Sequence, residues 1–152
     1  MNMTDKELSH DISAAQYDEK DFFLTLQSFD GVIDYIEQRC TQYGCDARNT
    51  YRIVTASSEI LANIESYAYE SGGNIQIRTC VCENTIRIVF IDDGAPFDPF
   101  SVQEPEVSAP LSEREPGGLG IYIVRSLMDS VSYRYENGQN VLTIEKSFQA
   151  DE

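Results

Sequence analysis

Two β-hairpin patterns constrain the fold of this chain more than any other feature of its sequence. Asn137-Gly138 stands between the β-rich segments Ser130–Tyr135 and Val141–Ser147, and Asn-Gly is favoured in the tight turns that join antiparallel strands. Asn74–Cys82 and Thr85–Ile91 show the alternation of apolar and polar residues that is typical of half-buried strands. The sequence therefore predicts two hairpins.

Helical periodicity precedes each hairpin. A short strand at Phe22–Leu26 is followed by apolar residues at helical spacing over 32–40, and a longer amphipathic helix is predicted over 53–68. A third helix is predicted over Leu119–Asp129. This order predicts an α+β fold, a two-layer sandwich with helices on one face of a mixed, mostly antiparallel sheet.

The length and composition fit one domain. The chain has 152 residues, of which 41% are hydrophobic, and a single domain over 19–149 is predicted after a polar leader at 1–18. No run approaches the ~18 apolar residues of a membrane span, and Met1–His10 lacks the apolar stretch of a secretory signal. We expect a cytoplasmic location and no association with a membrane.

The net charge of −15 bears on possible partners. Nucleic-acid affinity comes mainly from Lys and Arg that neutralise phosphates, so direct nucleic-acid binding is not expected. The same charge repels a bare nucleotide, so phosphate binding would need a divalent cation, main-chain N–H groups and helix N-termini. A basic protein partner would be attracted.

Four cysteines suggest neither a disulfide framework nor a zinc site. Cys40 and Cys45 have roughly zinc-like spacing, but a second pair is missing and the sole histidine, His10, lies in the leader. Buried or surface thiols are the expectation.

Glu59 and Asn63 form the first candidate site. They are four residues apart, so a helix places both side chains on one side, next to its buried stripe. The carboxylate there can polarise an attacking hydroxyl, and the amide oxygen can coordinate Mg²⁺. The alternative is an ordinary solvated polar face.

Asp92-Asp93-Gly94 forms the second candidate, at the end of a predicted strand. An ionised Asp92 only accepts hydrogen bonds, which suits the exocyclic amine of adenine and disfavours the oxygen of guanine. Gly94 allows a positive φ or a close approach of the backbone. A plain turn is the alternative.

Gly117–Gly120 forms the third candidate, at the start of a helix, where free N–H groups and missing β-carbons favour anions. It lacks the Gly-Lys-Ser/Thr ending of a Walker loop. The preceding segment, 97–116, has no periodicity and contains four prolines, which is typical of a functional lid or a disordered loop. The alternative is that these glycines only form a flexible connection between the loop and the helix and bind no ligand.

Together, the three segments resemble the histidine-kinase-like (Bergerat) ATPase superfamily, and in particular its anti-sigma-factor serine/threonine kinase branch. Glu59–Asn63 is similar to that family's asparagine box, Asp92–Pro99 to its first glycine box and Gly117–Asp129 to its second. The resemblance covers 22–148, nearly the whole chain. It implies the Bergerat fold, ATP as the ligand and Mg²⁺ as the metal ion.

The resemblance also implies roles for individual residues. Glu59 is the expected general base, Asn63 the expected Mg²⁺ ligand, and Asp92 the residue expected to read adenine, with Gly94 shaping the base pocket. Gly118–Gly120 are expected to cap the phosphates beneath the 97–116 lid. The residues expected to bind the nucleotide are Asn63, Asp92, Gly94, Phe97, Gly117, Gly118, Leu119 and Gly120.

The function implied by the resemblance is that of an ATP-dependent anti-sigma regulatory factor. Such a protein phosphorylates a serine or threonine of an antagonist protein and sequesters a sigma factor. The alternative is an ATP-binding interaction module without kinase activity. A third possibility is an ATP-hydrolysing clamp. It is less expected, because this sequence shows no extra domains that would use the hydrolysis. A homodimer is a further expectation, since Phe22–Leu24 is a β-rich segment near a sheet edge.

Overall fold

A computed structural model describes residues 16–68, 72–101 and 118–149. The leader at 1–15, most of the predicted lid and Gly117 lie outside these described residues. The elements in chain order are β1 Asp18–Leu24, α1 Phe29–Gln42, α2 Ala47–Asn63 with a π-helical extension Ile64–Ala68, β2 Gly73–Cys82, β3 Thr85–Asp92, a 3₁₀ turn Pro99–Ser101, α3 Gly118–Leu127, β4 Ser130–Glu136 and β5 Gln139–Ser147.

The described strands form one five-stranded sheet in the order β1-β2-β3-β5-β4. All of the pairings between them are antiparallel, so the sheet is more uniform than the mixed sheet that was expected. Strand β5 lies between β3 and β4, and this insertion places Asp92 at the end of β3 directly opposite Asn140 on β5. The predicted α+β architecture is confirmed.

Both predicted hairpins are present, and their two turns share one backbone geometry. Glu83 and Asn84 have φ of 50° and 59°, and Asn137 and Gly138 have φ of 55° and 77°. Positive φ at both central residues is the geometry of a type I′ turn, whose twist matches that of the flanking strands. The tight turns thereby fix the register of each hairpin.

Strand β1 begins four residues earlier than predicted. It starts at Asp18, and the charged residues Asp18–Asp21 pair with β2 through the main chain. An edge strand can carry exposed charges on both faces, so apolar alternation does not reveal it.

Helix α1 ends in a Schellman motif. Gly44 has a φ of +83°, its N–H donates to the Thr41 carbonyl oxygen at 3.1 Å, and the Cys45 N–H donates to the Cys40 carbonyl oxygen at 3.0 Å. Glycine is favoured at this position because the left-handed conformation crowds a β-carbon. The predicted stop at Gly44 is therefore confirmed, and the next helix starts soon after it.

Helix α2 carries the Glu59–Asn63 pair. The Asp46 carboxylate caps its N-terminus by accepting a hydrogen bond from the Asn49 N–H at 3.2 Å. After Asn63 the helix widens into the π-helical segment Ile64–Ala68. Such segments are rare and often lie at functional sites, and here the change comes immediately after a predicted ligand.

The helices cover one face of the sheet and enclose the main core. Its largest fully buried side chains are Phe90, Leu24, Ile36, Ile53, Leu61, Ile75, Ile77, Ile86, Ile88, Ile144, Val32 and Val124. Cys40 and Cys45 belong to the same core, and burial raises the pKa of the Cys40 thiol to about 12. All four cysteines are free thiols. Each helix in the described ranges is too short or too polar to cross a membrane.

Candidate functional site

A pocket lies between the helices and the ends of β3 and β5. Its lining residues are Ile60, Asn63, Ile64, Asp92, Phe97, Pro99, Ile121, Tyr133, Asn140 and Leu142. Most of this lining is apolar, and three of its polar residues, Asp92, Asn140 and Tyr133, are joined by hydrogen bonds. An apolar slot with a few fixed polar groups is the usual form of a small-molecule site.

The contact between α2 and α3 brings two of the predicted motifs together. A β-carbon built on Gly120 would stand 2.9 Å from Glu59 Oε2 and 3.7 Å from Asn63 Nδ2. Only a residue without a side chain fits there while Glu59 keeps its position. The structure thus unites Glu59, Asn63 and Gly120, which the sequence separates by about sixty residues.

Asn63 is buried at 9% exposure and lines the pocket. Within the described part of the chain, no hydrogen bond ends on its side-chain amide. A buried amide that has no hydrogen-bond partner among the described residues suits a ligand. The described ranges contain no group of three His, Cys, Asp or Glu residues that would hold a metal ion by themselves. The site therefore fits Mg²⁺ bound by Asn63 together with phosphate oxygens, the manner in which proteins commonly hold this ion.

Asp92 is 3% exposed, and its Oδ1 atom accepts two hydrogen bonds. The Gly94 N–H donates at 3.0 Å and Asn140 Nδ2 donates at 2.9 Å. Burial raises the pKa of the Asp92 carboxyl, while the hydrogen bonds from Asn140 and Gly94 act in the opposite direction. Gly94 is not among the glycines with positive φ, so its turn does not depend on the left-handed backbone conformation.

Asn140 and Tyr133 belong to the pocket, yet the sequence pattern did not reveal them. Asn140 comes just after the Asn137-Gly138 turn, where a polar residue is ordinary, and its partner Asp92 is 48 positions away. The signal that would have found it is strand order, because β5 must pair with β3 for the two to meet.

The remaining predicted residues lie at the pocket edge or outside the described ranges. Phe97 lines the pocket and donates its N–H to Asn140 Oδ1 at 3.1 Å. Gly118 and Leu119 form the first turn of α3 with Gly120, although the Leu119 side chain lies outside the described residues, as does Gly117. Only 97–101 of the predicted lid is described, and there the Phe100 ring stacks under the Arg125 guanidinium at 4.5 Å.

A protein-family model for the histidine kinase-like ATPase domain matches residues 23–146. The chain belongs to this family. Among its relatives, the serine-protein kinase RsbW of Halalkalibacterium halodurans is 31% identical over 104 residues, which cover 66% of this chain and 64% of RsbW. The matched part is thus less than two thirds of that relative.

Two solved structures share the fold of this histidine kinase-like ATPase domain. The RsbU and RsbW domains of a Mycobacterium tuberculosis protein match with a TM-score of 0.60 at 17% identity, over 86% of this chain and 32% of that one. The SiaB–SiaC complex of Pseudomonas aeruginosa matches with a TM-score of 0.56 at 11% identity, over 96% of this chain and 99% of the other. These comparisons confirm the family resemblance and the fold, while the roles of single residues stay predictions.

Proposed function

We propose that this ATPase-family domain binds Mg-ATP in the described pocket and phosphorylates a serine or threonine of an antagonist protein. We further propose that it acts in the cytoplasm as an anti-sigma factor that sequesters a sigma factor. The observation that carries the proposal is the packing of Glu59, Asn63 and Gly120 at one point beside a pocket that contains Asp92.

The base end of the pocket supports adenine recognition. Asp92 Oδ1 accepts both of the hydrogen bonds described for this carboxylate, and Oδ2 accepts none from the described residues. A carboxylate oxygen accepts the amine of adenine and repels the carbonyl oxygen of guanine. Apolar side chains such as Ile64 and Leu142 line the space where a purine ring would lie.

The phosphate end requires a cation. With a net charge of −15, the protein attracts a nucleotide only if its phosphate charge is neutralised. Mg²⁺ would supply that neutralisation when bound. We assign Asn63 to hold it and the first turn of α3, Gly118–Gly120, to receive phosphate oxygens, because the N–H groups of a first helical turn have no partner within the helix.

Glu59 is the candidate base for phosphotransfer. Its half-buried carboxylate lies beside Gly120 at the start of α3. In the proposed reaction Glu59 takes the proton of the attacking serine or threonine hydroxyl, whose oxygen forms the new bond to phosphorus as ADP departs. Asn63 and the α3 N-terminus hold the phosphates in line for that attack.

One observation favours the alternative function, an ATP-binding interaction module without kinase activity. Glu59 does not line the pocket, whereas Asn63 does. A carboxylate that only packs against Gly120 would leave nucleotide binding intact and contribute nothing to transfer. Partner binding itself fits both functions. SiaB, a protein of the same fold, was solved in complex with SiaC, and the negative charge of this chain suits a basic partner surface.

Calorimetry and a transfer assay test the two functions separately. We expect titration with ATP to show binding that depends on Mg²⁺, and GTP to bind more weakly. Transfer of radiolabel from ATP to candidate antagonist proteins is the expected sign of the kinase. Absence of ATP binding would refute both functions, whereas ATP-dependent partner binding without transfer would leave only the interaction module.

A further inference from the structure

The orientation of the Asn140 side-chain amide is determined by neighbouring main-chain groups, each of which can act only as a hydrogen-bond donor or only as an acceptor. Its Oδ1 lies 3.1 Å from the Phe97 main-chain N–H, which can only donate. Its Nδ2 lies 2.9 Å from the Ala95 carbonyl oxygen, which can only accept. Reversing the amide would place two donors together at one end and two acceptors together at the other. Asn140 therefore presents an N–H to Asp92.

The amide of Asn140 is also fully used. Nδ2 donates to Asp92 Oδ1 at 2.9 Å and to Ala95, and Oδ1 accepts from Phe97 and from the Tyr133 hydroxyl at 2.5 Å. These contacts account for two donors and two acceptor sites, the whole capacity of an amide. Nδ2 also lies 3.4 Å from the Gly94 carbonyl oxygen. Since Asn140 is only 5% exposed, replacing its amide would take a donor away from the buried Asp92 carboxylate.

As a consequence, the two carboxylate oxygens of Asp92 have different roles. Asn140 and the Gly94 N–H both bind Oδ1, which holds the carboxylate plane in place. Oδ2 is thereby the oxygen left for a ligand. The Tyr133 hydroxyl holds Asn140 from the opposite side, and its ring also lines the pocket. A chain of hydrogen bonds thus runs from β4 through β5 to the end of β3.

We infer that Asn140 is the positioning residue for base recognition, and that Tyr133 supports it. This inference rests on the proposed function, because it assigns Asp92 Oδ2 to the exocyclic amine of adenine. Asn140 acts through its hydrogen bond to Asp92 Oδ1, so we expect its effect to be on how well the site discriminates that amine. A role limited to holding the 94–97 turn together would affect every nucleotide equally.

The test compares ATP with purine riboside triphosphate, which lacks the amine. The dissociation constant for purine riboside triphosphate divided by that for ATP, both measured by calorimetry with Mg²⁺, reports the amine contact alone. Asn140→Leu keeps the size and removes the N–H that faces Asp92, without bringing a second carboxyl group next to that residue. We expect this variant to lower the ratio by about 10- to 100-fold, the worth of one hydrogen bond to a charged group. The affinity for purine riboside triphosphate should change little.

Two further variants keep the test interpretable. Tyr133→Phe removes only the hydroxyl and should lower the ratio by about 2- to 10-fold, since a neutral hydrogen bond is weaker. Thr143→Val is the matched control, because Thr143 is also buried on β5 but points to the other face of the sheet. It should leave the ratio unchanged.

The outcomes separate this inference from the proposed function. If the wild type does not prefer ATP over purine riboside triphosphate, Asp92 does not bind the amine, and the part of the proposed function that concerns adenine recognition is overturned. If the wild type discriminates and both Asn140→Leu and Tyr133→Phe discriminate as well as the wild type does, only the inference about Asn140 is overturned. Equal weakening of both nucleotides would assign Asn140 to the turn alone and would also overturn it. Should Asn140→Leu fail to fold, Tyr133→Phe decides.

Discussion

Gly120 on α3 packs directly against the Glu59 carboxylate on α2, leaving 2.9 Å between Glu59 Oε2 and the position that a β-carbon on Gly120 would occupy. In most helices glycine is unfavourable, by about 1 kcal/mol relative to alanine. Here the missing side chain lets two helices approach at the point where the proposed base lies. The glycine therefore has a spatial role at Glu59, besides any role toward phosphates.

A methyl group at this contact should separate stability from activity. In Gly120→Ala the gain in helix propensity offsets the contact, because the end of a flexible glutamate can move, so the melting temperature should change little. The displaced carboxylate should lower phosphotransfer by about 10²-fold, as misplacement by about 1 Å can do. Gly31→Ala is the control, because Gly31 lies in α1 with open space around it. Unchanged transfer in Gly120→Ala would contradict a catalytic position for Glu59.

Glu59 and Asn63 should fail in different ways when they are replaced. Glu59→Gln keeps the shape but removes the proton acceptor, so transfer should fall by roughly 10²–10⁴-fold while Mg-ATP still binds. Asn63→Ala should weaken Mg-ATP binding itself, because it removes a metal ligand. Nucleotide titrations beside a radiolabel assay distinguish the two, with Glu37→Gln on the exposed side of α1 as the control. Equal loss of binding in both variants would argue against these roles.

Asp92 should stabilise the ligand-free protein less than a neutral isostere does. Because burial raises its folded-state pKa, the folded protein holds the proton more tightly than the unfolded chain, and ionisation costs stability. This cost is absent below the unfolded pKa, grows as the pH rises to the folded pKa, and stays constant above it.

Asp92→Asn should therefore melt at a higher temperature than the wild type at pH 7, and the difference should shrink on acidification. The same variant should lose affinity for ATP by about 1.5–3 kcal/mol, the worth of a hydrogen bond to a charged acceptor. Thermal melts at several pH values and calorimetry at pH 7 check both effects. A wild type that melts higher at every pH would contradict the expected cost of burying the charge.

The edge strand β1 allows the expected homodimer to be tested. Its Phe23 side chain is 57% exposed, and the nearby Leu26 is 76% exposed. A second copy that covers these apolar side chains would explain their exposure. Sedimentation should then show a dimer that Phe23→Glu dissociates, with Tyr135→Glu on the opposite edge strand as the control. A wild type that stays monomeric at high concentration would rule out this dimer.

The local elements of the fold follow directly from the sequence. The Asn137-Gly138 turn, the stop at Gly44 and the spacing of apolar residues along α2 each depend on residues within one or two turns of each other. Such signals are short-range, because backbone conformation and side-chain periodicity are set by near neighbours. For the same reason the Glu59–Asn63 pair, the Asp92 turn and the glycine-rich helix start are recognisable from the sequence alone.

Only the tertiary structure decided how these segments meet. The insertion of β5 between β3 and β4 brings Asn140 to Asp92, and the packing of α3 on α2 brings Gly120 to Glu59. Both contacts join residues far apart in the chain, and the free energy that selects them comes from burying the shared core, to which many side chains contribute. The sequence by itself determined which side chains the site can use, and the order of the strands determined which of them touch.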